Sequence, residues 1–148
     1  MSFHSRKYKF AALAACSALM GLSCVLPAFA AGGDAKAEVL LQTNQAWTGD
    51  AYKAYPKGNP QLSVLKISVP PNSSLPWHTH PFPNAGYILS GSITVEQKST
   101  GLKKVYTTGQ VIPEAVDIAH RGFTGDDGAV LIVFYAGTEG VALAHILD

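Results

Sequence analysis

The sequence predicts an all-β fold: a single-domain sandwich or barrel behind an N-terminal signal segment. Three observations predict it. Beyond the first thirty residues no amphipathic stretch keeps a helical period over the roughly 12 residues a stable helix needs. Short runs rich in valine, isoleucine, threonine and aromatic residues recur instead, broken at regular spacing by glycine and proline. The length, 148 residues with no internal repeat, low-complexity tract or linker, sets a prior of one domain.

The first thirty residues stand apart. Arg6, Lys7 and Lys9 form a basic start, Phe10 to Leu26 is almost wholly apolar or small, and Pro27-Ala28-Phe29-Ala30 puts small residues where a signal peptidase reads. Residues 1–30 are therefore expected to be a secretory signal peptide cut near Ala30, sending the mature chain to the periplasm or the outside with no stable membrane anchor. Leu13-Ala14-Ala15-Cys16 offers a competing lipidated-cysteine pattern. Only Phe10, Ala11 and Ala12 separate it from Lys9, fewer than the roughly 7–15 apolar residues a signal needs.

Cleavage removes three basic residues and no acidic one, leaving eight basic against ten acidic residues, a net charge of −2. No basic stripe survives, which argues against nucleic acid as a partner. Both cysteines, Cys16 and Cys24, leave with the signal, so the mature chain has no disulfide and rests on its core.

Residues 31–38 read as a flexible mature N-terminus and 39–148 as the barrel domain. Val39 to Trp47 has the composition of a first strand, and Thr48-Gly49-Asp50 breaks it. Tyr52 to Pro60 is a loop with several turn residues. Leu62 to Val69 alternates as a strand, ended by Pro70-Pro71-Asn72. Tyr87-Ile88-Leu89 and Ile93 to Glu96 read as two strands around a tight Ser90-Gly91 turn. Leu102–Thr107, a short segment from Gly109 through Pro113, and Ile118–Phe123 follow as extended segments, and Gly125-Asp126-Asp127-Gly128 as a turn. Val130 to Tyr135, the most apolar run, is expected at the centre of the sheet. Val141 to Leu147 is compatible with a strand or a short helix.

Chemistry concentrates at Trp77-His78-Thr79-His80. On an extended backbone, side chains one residue apart point to the same face, so His78 and His80 project together. His120 is the third candidate. Three imidazoles on converging strands make a ligand set for zinc, iron, manganese, copper or nickel with open positions for water or substrate. His145, in the tail, has no partner in sequence. No phosphate-binding glycine loop, Ser-His-Asp order or mature cysteine supports phosphoryl or acyl transfer.

These residues carry a family resemblance. His78-x-His80-x3-Asn84-x6-Gly91 resembles the first motif of the cupins, and the stretch from Gly109 to His120 resembles their second. The resemblance covers roughly Leu62 to Tyr135. It implies a jelly-roll barrel, a divalent metal on His78, His80 and His120, and a small-molecule ligand or substrate. Asn84 stands where the family usually has a glutamate ligand, so an amide oxygen would be the fourth donor. Ala115 and Asp117 stand where a proline and a glycine are usual, and Thr124 where an asparagine is. Glu114 and Asp117 are thereby candidates to replace the missing charge, to orient a histidine, or to act as general base. Cupins include both enzymes and non-enzymatic binding proteins, so a metal-dependent oxygenase or isomerase and a small-molecule binder both stay open. A homodimer formed by strand pairing is compatible with open barrel edges.

Overall fold

Alternation of apolar and polar residues builds the molecule from strands. The computed structural model describes residues 35–148; the expected signal peptide lies outside them. Ala37–Asp148 forms one unit of eight strands: β1 (Pro60–Val69), β2 (His78–Thr79), β3 (Asn84–Gln97), β4 (Lys103–Thr107), β5 (Val111–Pro113), β6 (His120–Phe123), β7 (Ala129–Thr138) and β8 (His145–Ile146). Among the described residues there is no helix, and so none long and apolar enough to cross a membrane.

All pairings between these strands are antiparallel, and they wind into one curled sheet in the order β1-β7-β3-β6-β2-β8, with β4 and β5 also paired to β3. β7 lies between β1 and β3, the interior position its apolar run predicts. Val133 and Tyr135 are buried on its inner face while Phe134 is 42% exposed on the outer one. Inner residues of β1, β3, β5 and β7 (Ile67, Ile88, Ile112, Leu131) meet Ile93 and Val95 from the far half of β3 in one core.

Two expectations change. Val39 to Trp47 is not a strand: its only ladder contact is an isolated bridge between Gln45 and Ala51, and Val39 and Leu40 are 74% and 55% exposed. The segment has strand composition but pairs with no strand among the described residues beyond the Trp47 N–H donating to the Pro113 carbonyl at 2.8 Å; its end, Ala46 and Trp47, is buried. The expected hairpin at Ser90-Gly91 is instead a bend within one 14-residue strand. Before the bend β3 pairs with β7 and β5, and after it with β4 and β6. The bend is a register shift at Ile88/Ser90 followed by Gly91 at φ +76°. A turn signal and a sheet-switching bulge use the same residue for the same reason, its positive φ. The tail, undecided from sequence, forms β8 against β2.

Phe82 shows how closely the interior is filled. It is 1% exposed, stacks edge-on against Tyr135 at 6.4 Å, and occupies space that a side chain at Gly137 would need, 2.9 Å from the ring. Phe82→Ala is expected to lower unfolding free energy by about 3–5 kcal/mol, measured by urea denaturation; a loss under about 1 kcal/mol would mean the site collapses around the void.

Candidate metal centre

The register brings the histidines together. His78 of β2 lies directly opposite His120 of β6, so their side chains share a face, and His80 follows His78 on that face, bridged to Val116. Ring centroids are separated by 4.8 Å (78–80), 4.5 Å (78–120) and 5.2 Å (80–120). One ring nitrogen from each lies within 4.8 Å of those from the other two.

Backbone carbonyls orient all three rings. The Nδ1–H groups of His78, His80 and His120 donate to the carbonyls of Pro76 (2.8 Å), Leu143 (2.8 Å) and Ile118 (2.7 Å). A carbonyl can only accept, so each Nδ1 carries a proton, and in the neutral ring each Nε2 is left as a lone-pair donor. The Leu143 contact comes from the tail, 63 residues away in sequence, and no sequence pattern announces a backbone acceptor at such a distance.

Glu114 lies beside the cluster, next to His120. It is 8% exposed, and its Oε2 lies 3.2 Å from His120 Nε2. Both atoms are buried, and neither has another hydrogen-bond partner. Burial alone would raise the Glu114 carboxyl, but the three imidazoles, His120 foremost, hold it below the usual range. Burial pushes His78 and His80 down from the ordinary imidazole value. Burial would lower His120 too, but the Glu114 carboxylate outweighs it and raises the ring. The same charge reaches further: Tyr52, Tyr106 and Tyr135 are each pushed up to about 12, by burial first and by Glu114 second. A buried carboxylate facing imidazole lone pairs is costly without a cation between them. Three imidazole nitrogens within 4.8 Å of one another, with the Glu114 carboxylate beside one of them, are compatible with a first-row divalent metal.

The other expected site residues fall elsewhere. Asn84 is buried on the same strand face as its register partner Tyr135, and its amide nitrogen donates to Phe82 carbonyl at 3.3 Å. It lines a separate 590 Å³ cavity with Tyr52, Tyr55, Pro113 and Phe134, not the cavity beside the histidines. Asp117 is exposed, at φ +59°, and its N–H donates to His80 carbonyl at 2.9 Å. The left-handed conformation falls where the cupin motif has glycine, and aspartate is one of the few other residues that tolerate it. Asp117→Gly is therefore expected to keep stability and metal affinity, and Asp117→Ala to lose about 1 kcal/mol of stability. A tenfold fall in metal affinity for Asp117→Gly, read by calorimetry, would give the carboxylate a site role instead.

Arg121 points away from His120, as alternation requires, donating twice to Glu96 Oε2 and lying 4.6 Å over the Trp77 ring. Thr124 is structural, donating its hydroxyl to Pro70 carbonyl at 2.6 Å. Trp47, which sequence placed only at a strand end, packs edge-on to His120 at 6.4 Å, and Tyr135 lies 5.7 Å from His80.

Comparison with solved structures places this architecture. The chain is similar to a cupin-like protein from Thermotoga maritima (TM-score 0.51, 15% identity, 59% of this chain and 65% of that one). It is similar to the polyketide cyclase RemF from Streptomyces resistomycificus (0.51, 21%, 62% and 64%) and to the DMSP lyase DddQ from Ruegeria pomeroyi (0.51, 19%, 57% and 42%). It spans less than two thirds of the length of each. No family model and no curated protein matches the sequence. The chain has the cupin fold, with a three-histidine group compatible with metal binding.

Proposed function

We propose that this protein is an exported cupin that holds a divalent metal ion on His78, His80, His120 and Glu114 and binds a small ligand there. The observation that carries the reading is the pair of orphaned buried atoms, Glu114 Oε2 and His120 Nε2, facing each other among rings whose Nδ1 atoms are already committed. When bound, such an ion supplies Lewis-acid polarisation of an oxygen or activates a small molecule. The chain's own contribution is to orient the rings, exclude water and supply one anionic donor. Asn84, the fourth donor expected from the motif, is replaced in this reading by Glu114. Solved proteins of this fold include a lyase and a cyclase; one fold hosts unrelated activities, so the proposal rests on the side chains.

The test is elemental analysis and calorimetry of the purified protein. One equivalent of metal is expected, and Glu114→Gln is expected to weaken it by roughly 10- to 100-fold while leaving the fold intact. Unchanged affinity in Glu114→Gln would remove the carboxylate from the ligand set. Export is tested by the mass of the protein recovered outside the cytoplasm, expected to begin at Ala31.

A second reading, a non-enzymatic binder, is favoured by the 590 Å³ cavity, a size usual for organic ligands. Metal-independent ligand binding that survives loss of the histidines would favour it.

A further inference from the structure

We propose, on the reading that His78, His80, His120 and Glu114 hold a metal ion, that the chamber beside them admits only a coordinating molecule of about three non-hydrogen atoms or fewer. The centre's ligand is then a diatomic gas or a small linear anion, not an organic acid. The cavity at the histidines has a volume of 40 Å³. A single water occupies roughly 10–15 Å³ on that measure, so the ion and two or three further atoms fill it. Organic ligands ordinarily occupy cavities of about 300–1,000 Å³.

The walls do not yield easily. Ile93, Ile112, Leu131 and Val133 are each at most 4% exposed; Ile112 on β5 and Leu131 and Val133 on β7 belong to strands paired to the first half of β3, and Ile93 lies on its second half, opposite β4. Gly122 already lacks a side chain where one would meet Ile93 Cδ1 at 2.7 Å. Interiors packed at this density transmit strain instead of opening locally. Apart from Glu114, the histidines and Tyr135, the lining is aliphatic. These aliphatic walls suit a neutral diatomic, and the Tyr135 hydroxyl is the one O–H donor an organic carboxylate would meet among the lining side chains. The 590 Å³ cavity, by contrast, is lined by none of the three histidines and not by Glu114.

The test uses cobalt(II) as the probe metal, its visible spectrum as readout, and titration with azide, acetate and benzoate. Azide is expected to shift the bands saturably, with benzoate at least tenfold weaker. Ile93→Ala and Leu131→Ala, which widen the chamber from different strands, are expected to gain a response to acetate; if one does not fold, the other serves. Absence of cobalt bands would overturn the metal reading itself. Bands that benzoate shifts as readily as azide, or that no anion shifts, would overturn the size limit while leaving the metal in place. So would a folded, widened variant whose response to acetate equals that of the parent protein.

Discussion

The His78→Ala/His80→Ala variant is expected to bind no stoichiometric divalent metal and to become insensitive to chelator. Two of the three oriented imidazoles go, and the remaining His120–Glu114 pair, 3.2 Å apart, can close on a shared proton. On the metal-binding proposal, metal at a hundredfold excess over its dissociation constant should stabilise the parent protein by about 2.7 kcal/mol, through binding to the native state alone. For a domain of this size, chelation should then lower the melting temperature by on the order of 10 °C. The measurement is a pair of melting curves with and without chelator, beside metal content. The double variant should show one temperature in both. A parent protein that also shows one temperature, with no metal in it, removes the metal centre from this fold.

Gly91→Ala is expected to be the most damaging single-methyl change in the chain. Gly91 sits at φ +76°, where a Cβ costs about 1–2 kcal/mol in any surroundings. Here that Cβ would also collide with the Gly128 carbonyl oxygen and press on Ala129 Cα. Both obstacles are backbone, at the start of β7, and Gly128 has little room behind it, since a Cβ there would lie 2.8 Å from the Val69 carbonyl oxygen. The bend cannot relax without unpairing the sheet, so the loss should reach about 4 kcal/mol or more, a large part of ordinary domain stability. Gly101→Ala is the control: φ is +69°, but no atom lies within 4 Å of the added methyl. Denaturant midpoints that fall equally for the two variants would show that the collision contributes nothing.

These two variants probe features that the sequence discloses unequally. Alternation puts His78 and His80 on one face from their spacing alone, and the apolar run of β7 announces a central strand. Both follow from local geometry, which depends on neighbours a few residues away. The strand composition of Val39 to Trp47 misleads for a complementary reason. A strand is stable only with a partner, and no rule of composition says whether an edge will be free. Gly91 is legible as a positive-φ glycine but not as a bend, since whether the chain reverses or changes sheet depends on strands that arrive later.

The sequence by itself determined the all-β class, the histidine pair and its third member, and the candidacy of Glu114. Tertiary structure alone decided that Glu114 and not Asp117 reaches the rings. The left-handed turn at Asp117 leaves that carboxylate in solvent, while Glu114 follows β5 into the interior. It also decided that three carbonyls, one from a tail 63 residues distant, fix the imidazoles, and that the space left beside them is 40 Å³. Spacing along a chain specifies which side chains share a face; only the closing of the sheet sets how near those faces come and how much room remains between them.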